Sequence, residues 1–133
     1  MNNIIFLEYV STALLSLLYK RCIANVYISL YEGFGFPPFE AALYNKVSII
    51  SCTSALPEVY ESAAYCVNPK SIEEISAALR FVASSNFMHC EYQEKFPTLI
   101  SKYKWSRTAN KIAQLIMESI ITENKREINV SSC

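Results

Sequence analysis

Two carboxylates, Glu32 and Glu40, stand eight positions apart, with the chain's only two glycines, Gly33 and Gly35, and the adjacent prolines Pro37 and Pro38 between them. Glycines so placed permit a loop that turns sharply and lets backbone approach a ligand closely. A proline pair suits the first turn of a helix, where no backbone N–H is required. The pattern predicts Glu32 on a loop and Glu40 in the first turn of the helix that follows. Both then face the pole where helix N–H groups point outward and favour anions. A carboxylate there can accept hydroxyl groups and favour positive charge developing at a reacting centre.

The flanks read as an α/β unit. Ala24 to Leu30 is an apolar run with β-branched and aromatic residues, which predicts a buried strand. The helix from about Pro37 ends near Asn45, a residue that tolerates the left-handed conformation of a helix end. Val47 to Cys52 reads as the next strand. A strand, loop, helix and strand in about thirty residues make a βαβ crossover with parallel pairing, and ligands of such sheets bind beyond the carboxyl ends of the strands. Glu32 falls at that end.

Further elements follow the same logic. Ile4 to Leu7 is a short strand candidate, and Ser11 caps a helix over Thr12 to Cys22 with Leu14, Leu15, Leu17 and Leu18 at helical spacing. Ser54 to Tyr60 is a loop entering a short helix with Pro57 near its start, and Ala64 to Val67 is a strand closed by Asn68-Pro69. Ser71 and Glu74 form a capping box, and the helix they open carries Ile72, Ile75, Ala78, Leu79 and Val82 on one face. A helical stretch after Asn86 breaks near Pro97, and Glu91 to Lys104 reads as a solvated face. Trp105 anchors a last amphipathic helix to about Ile121, with Ile112, Leu115, Ile116 and Ile120 on one face, and a polar tail follows.

A length of 133 residues allows one domain with a real core. Lys+Arg and Asp+Glu both number 12, so bulk charge points to no nucleic-acid partner. The apolar run from Ile4 to Tyr19 contains Glu8, lacks a preceding basic residue and ends in Lys20-Arg21, which argues against a signal peptide. No stretch approaches a membrane span. The cysteines Cys22, Cys52, Cys66, Cys90 and Cys133 are scattered, and their odd number argues for a reducing compartment. Cys52 and Cys66 sit in apolar runs and read as small core residues. With His89 as the single histidine, no metal site is expected.

Tyr31 to Ala41 (YEGFGFPPFEA) resembles the Glu-x7-Glu signature of the group-1 retaining glycosyltransferases, glycosyltransferase family four. Four more segments resemble that family in the same order: Phe6 to Ser11, Ser54 to Val59, Ala64 to Pro69, and Lys104 to Ala109. The resemblance implies the GT-B architecture, in which two Rossmann-like domains face a cleft. It covers most of the C-terminal, donor-binding domain, taken here as residues 1–121, with 122–133 as the polar tail. The implied fold class is α/β, a Rossmann-like parallel sheet flanked by helices. One departure is Tyr44-Asn45-Lys46, where the family usually has small residues and a glycine.

By this resemblance Glu32 lies against the donor sugar and takes part in catalysis, while Glu40 binds the ribose hydroxyls. Gly33, Phe34, Gly35 and Phe36 offer backbone N–H groups to sugar and phosphate, and the phenylalanine rings, Phe39 above all, pack rather than stack on ligand. Glu58 reads as a structural residue capping its short helix. The implied reaction moves a sugar from a nucleoside diphosphate sugar, a co-substrate, to a hydroxyl of a glycan or glycolipid acceptor. It keeps the anomeric configuration, requires no metal or other cofactor, and serves polysaccharide or lipopolysaccharide synthesis in the cytoplasm or peripherally at the inner face of the cytoplasmic membrane. The family's basic diphosphate clamp lies upstream of the matched segment, and Lys20 and Arg21 cannot replace it by motif. A missing N-terminal acceptor domain or a partner chain is therefore expected, and the chain reads as a fragment that is inactive alone. Two alternatives stay open: a non-catalytic remnant that at most binds nucleotide, and an unrelated α/β interaction module.

Overall fold

A computed structural model of the chain describes the backbone of residues 3–130 and the side chains of residues 3–122. Two compact units are present, residues 1–99 and residues 100–133. The first contains a three-stranded parallel sheet of β1 (Asn25–Tyr27), β2 (Ser48–Ser51) and β3 (Tyr65–Val67), in the order β1-β2-β3. Val26 stands opposite Ile49, and Ile50 opposite Cys66. The strands are shorter than the apolar runs that specify them, and β1 is not the buried strand expected: as an edge strand it is only half-buried, with Val26 exposed.

Helices connect the strands. α1 (Thr12–Arg21) precedes β1, α2 (Phe36–Leu43) joins β1 to β2, and α3 (Leu56–Tyr60) with a 3₁₀ turn (Glu61–Ala63) joins β2 to β3. α4 (Ile72–Val82) and α5 (His89–Gln93) follow, α6 (Phe96–Lys102) crosses the boundary between the units, and α7 (Trp105–Val130) lies in the second. This is the expected Rossmann-like half. β2 is buried along its whole length, as the middle strand of a parallel sheet covered on both faces must be. Ile49, Ile50, Val47, Leu56, Tyr60 and Val82 are the largest apolar side chains that are almost fully enclosed. Burying each stabilises the fold by about 1.5–3 kcal/mol.

The local signals act largely as written. The Ser11 hydroxyl accepts from the Leu14 N–H at 3.3 Å and caps α1. Asn45 adopts a φ of 60°, the left-handed turn that lets the chain leave α2 for β2. At α4 the Ser71 hydroxyl accepts from the Glu74 N–H at 3.2 Å, but the Glu74 carboxylate reaches the Asn68 N–H at 2.9 Å instead of completing the box.

Several expectations are corrected. Ile4 to Leu7 is not a strand: among the described residues nothing pairs with it, and an unpaired strand has no ladder to hold it. α1 buries Tyr19, while Leu14, Leu17 and Leu18 are exposed. On α4 only Ala78 and Val82 of the expected face are buried, and Ile72 is exposed. Pro97 opens α6 as its second residue, where a proline costs no hydrogen bond, and Phe96 and Leu99 beside it are buried rather than solvated. Trp105 is exposed, so it anchors nothing by burial. Cys52 and Cys66 are exposed as well: Cys52 directly follows β2, and Cys66 is the middle residue of edge strand β3. The α7 helix runs to Val130 and keeps Ile112, Leu115, Ile116 and Ile120 along one exposed stripe. Cys133 lies outside the described residues.

One core group has no partner. The Ser51 hydroxyl, at the carboxyl end of β2, is fully buried and makes no hydrogen bond among the described residues. An unpaired hydroxyl in the core costs about 1–3 kcal/mol. Ser51→Ala is therefore expected to raise stability by about 1 kcal/mol, read as a higher urea midpoint with an unchanged slope. A lower midpoint would show that the hydroxyl has a partner in solution.

Candidate active site

The loop after β1 and the loop after β2 meet at the carboxyl end of the sheet. Glu32 is pinned there by its backbone. Its N–H donates to Ser54 Oγ at 3.1 Å, and its carbonyl accepts from Ser54 Oγ at 2.5 Å and from the Ala55 N–H at 3.3 Å. Ser54 has a φ of 61°, which turns its hydroxyl back onto Glu32, and Thr53 Oγ1 donates to the Leu30 carbonyl at 3.3 Å.

The Glu32 carboxylate is held just as firmly. Oε1 accepts from the Tyr27 hydroxyl at 2.5 Å and from Ser29 Oγ at 3.2 Å. Oε2 makes no hydrogen bond among the described residues. Tyr27 is the last residue of β1, and Ser29 follows two positions on, so both lean to the same side of the chain. The carboxylate beside it pushes the Tyr27 phenol above its ordinary pKa, chiefly through their hydrogen bond.

The glycines differ in their reasons. Gly35 is the N-cap of α2, has a φ of +75° and is buried. A Cβ at Gly35 would stand 2.5 Å from Leu56 Cδ2 and 3.3 Å from Tyr27 Cε1. Its carbonyl accepts from the hydroxyl of buried Tyr60. Gly33 has nothing within 4 Å of an added Cβ, so the fold itself does not demand glycine there. Phe34 packs in an aromatic group with Phe36, Phe39 and Tyr60 at centroid separations of 5.1, 5.6 and 6.4 Å, in line with the packing role expected of these rings. Phe36 is nonetheless largely exposed.

Glu40 is the fifth residue of α2, one residue deeper than expected and just past the first turn, because the helix starts at Phe36 rather than Pro37. Its Oε2 accepts from the Tyr19 hydroxyl at 3.0 Å, and that hydroxyl also lies 3.3 Å from the Pro37 carbonyl. Tyr19 stacks on Tyr44 at 5.6 Å, and the Tyr44 hydroxyl donates to Ser16 Oγ at 2.8 Å, which locks α1 to α2. Glu32 and Glu40 are thus anchored by phenols from different elements and share no hydrogen-bonding partner among the described residues. Glu58 lies in the first turn of α3 but makes no cap hydrogen bond, so its contribution there is charge opposite the helix dipole.

Burial, followed by the hydrogen bond to Glu40, pushes the Tyr19 phenol well above its ordinary pKa of 10.0. A phenol that holds its proton more tightly when folded stabilises the fold fully below the unfolded pKa. That contribution is lost as pH rises beyond about 10 toward the folded pKa. Stability is therefore expected to fall above about pH 10 more steeply in the wild type than in Tyr19→Phe. Parallel urea titrations at neutral and alkaline pH check this, and coincident slopes would refute it.

Tyr19, Tyr27, Ser29, Ser54 and Tyr60 were not singled out for the site by sequence reasoning. The one available signal was general: a tyrosine hydroxyl in a strand or helix facing a core must find a partner. Lys20 and Arg21 occupy the exposed last turn of α1, just before the amino end of β1. Among the described residues no cluster of three or more metal-ligating side chains occurs, and no helix is long and apolar enough to cross a membrane.

A three-stranded parallel sheet flanked by helices, with a clamped carboxylate on the loop after its first strand, defines the class: a Rossmann-like α/β half-domain. Residues 1–97 match the family described as glycosyl transferases group 1. The serotype-specific mannosyltransferase WbdA of Escherichia coli is 30% identical over 111 residues, which cover 82% of this chain and 13% of that protein. The O-antigen chain mannosyltransferase RfbU of Salmonella typhimurium is 32% identical over 102 residues, 77% of this chain and 26% of that protein. The O-antigen chain mannosyltransferase B of Escherichia coli is 38% identical over 72 residues, 54% of this chain and 19% of that protein. The chain belongs to the group 1 glycosyl transferases, matching their C-terminal-type domain. It spans only about an eighth to a quarter of the length of these relatives.

Proposed function

We propose that this chain is the donor-binding half of a retaining glycosyltransferase acting in polysaccharide or lipopolysaccharide synthesis. The observation that carries the reading is the Glu32 carboxylate, clamped at the carboxyl end of the sheet with one oxygen left open. In this reading Glu32 Oε2 accepts a hydroxyl of the donor sugar and favours positive charge at the anomeric carbon as the bond to the diphosphate breaks. Glu40, steadied through Oε2 by Tyr19, presents Oε1 to the ribose hydroxyls. Gly33 leaves space for the donor to approach, and the loop N–H groups face its phosphates. The acceptor hydroxyl attacks the same face that the diphosphate leaves, and its proton passes to the departing phosphate. By family resemblance the reading invokes no metal ion.

The relatives named above are mannosyltransferases, two of them of O-antigen chains, which supports a glycan or glycolipid acceptor. In this reading the basic side chains that steady the departing diphosphate come from a further domain or a partner chain. Accordingly, this chain alone binds donor and transfers nothing. Val26 on edge strand β1 and Leu14 and Leu17 on α1 are exposed apolar side chains open to such an addition. The site of action in this reading is the cytoplasm or the inner face of the cytoplasmic membrane.

Calorimetric titration with UDP-glucose, GDP-mannose and ADP-glucose, each beside its nucleoside diphosphate, tests the reading. At least one pair should bind, and Glu40→Gln should weaken both members of that pair by about tenfold, the loss of one charged hydrogen-bonding site. No binding of any pair at millimolar concentration would sink the reading.

A further inference from the structure

We propose that Tyr27 is a positioning residue for Glu32: it holds one carboxylate oxygen so that the other is presented to the donor sugar. This rests on the donor-binding reading above. Three observations converge on the one side chain. Its hydroxyl lies 2.5 Å from Glu32 Oε1. Its ring edge forms part of the wall at Gly35, 3.3 Å from where a Cβ would stand. It is the last residue of β1, so it sits on the sheet rather than on the loop it holds. Tyr27 therefore touches both ends of the turn from Glu32 to Gly35, and its backbone is fixed by pairing with Ile50.

The chemistry follows from the division of the carboxylate. Tyr27 and Ser29 both donate to Oε1, and neither reaches Oε2. A free glutamate side chain on a loop samples several rotamers, and a ligand must order it on binding. Two donors on one oxygen, together with the Ser54 clamp on the backbone, fix the direction of the second oxygen in advance. Ser29, at 3.2 Å, is the weaker anchor by distance and is itself shared with the Tyr31 carbonyl at 3.3 Å. Tyr27 carries the orientation.

The test compares a nucleoside diphosphate sugar with its nucleoside diphosphate, using whichever of the UDP-glucose/UDP, GDP-mannose/GDP and ADP-glucose/ADP pairs the wild-type chain binds most tightly. Tyr27→Phe removes a single oxygen and keeps the ring against Gly35. It should weaken the sugar nucleotide by about tenfold and leave the nucleoside diphosphate within about twofold. Glu32→Gln should give the same pattern, and the double variant should bind no worse than Glu32→Gln, because both changes remove one unit. Equal affinity of Tyr27→Phe and wild type for the sugar nucleotide overturns the positioning role and leaves the donor-binding reading standing. Equal losses for both ligands also overturn it, since that is what a merely structural residue would show. Failure of the wild type to bind any of the six ligands takes down the donor-binding reading and this inference together. Glu32→Gln is also the safeguard against a Tyr27→Phe chain that does not fold. In that variant the Tyr27 ring carbon signal, followed by NMR across alkaline pH, should titrate lower than in the wild type, and an unchanged titration overturns the pairing.

Discussion

Gly35→Ala is expected to lower the stability of the chain by about 3 kcal/mol and to dislodge the Glu32 loop. Two costs combine. A φ of +75° lies in the left-handed region, where an alanine costs about 1–2 kcal/mol more than glycine. The new methyl would also stand 2.5 Å from Leu56 Cδ2. A flexible surface leucine could swing aside, but Leu56 is 0% exposed and is packed on every side. Overpacking of that kind costs about 1–3 kcal/mol. Relief by moving the backbone would pull the Gly35 carbonyl from Tyr60 and press on Tyr27, which holds Glu32. Urea unfolding followed by circular dichroism measures the loss. Gly33→Ala is the matched control: with nothing within 4 Å of its Cβ it should be within about 0.5 kcal/mol of wild type. Equal stability of the two variants would contradict the packing described at Gly35.

Tyr60→Ala is expected to cost about 3–5 kcal/mol, the range for deleting a large aromatic side chain from a core. Tyr60 is 2% exposed and is among the largest enclosed side chains. Its ring joins the Phe34 aromatic group, and its hydroxyl caps the Gly35 carbonyl, so one residue links the core to the candidate site. The hydroxyl and the ring can be separated. Tyr60→Phe keeps the packing and leaves a carbonyl short of one donor, which should cost about 1–2 kcal/mol. The difference between the two variants is the packing contribution. If Tyr60→Phe were as destabilising as Tyr60→Ala, the hydrogen bond and not the ring would hold the loop. If Tyr60→Phe were neutral, water would be replacing the hydroxyl at Gly35.

The segment from Glu32 to Glu40 shows what kind of information a chain carries in plain view. Gly35 in a left-handed turn, prolines inside the first turn of α2, Asn45 at its exit and Ser11 and Ser71 as caps are local choices. Each depends on the backbone preference of one residue, so each was legible without neighbours. The parallel βαβ unit was legible for a related reason: two apolar runs separated by one helix leave few other ways to bury both faces. Family membership rested on such signals recurring in order.

What failed were inferences about which face of an element is covered and by what. Ile4 to Leu7 has strand composition, yet a strand exists only by pairing, and no partner stands beside it among the described residues. Leu14, Leu17, Ile72 and Trp105 were apolar positions without knowledge of which face is covered. The partners of the two glutamates were equally invisible. Tyr19 lies 21 positions before Glu40, and Ser54 22 positions after Glu32, separations that no local preference encodes. By itself the sequence determined which residues could do chemistry and which local backbone shapes would carry them. The tertiary structure alone decided which phenol meets which carboxylate and which oxygen is left open, because those contacts arise only when α1, β1 and the β2–α3 loop pack around α2.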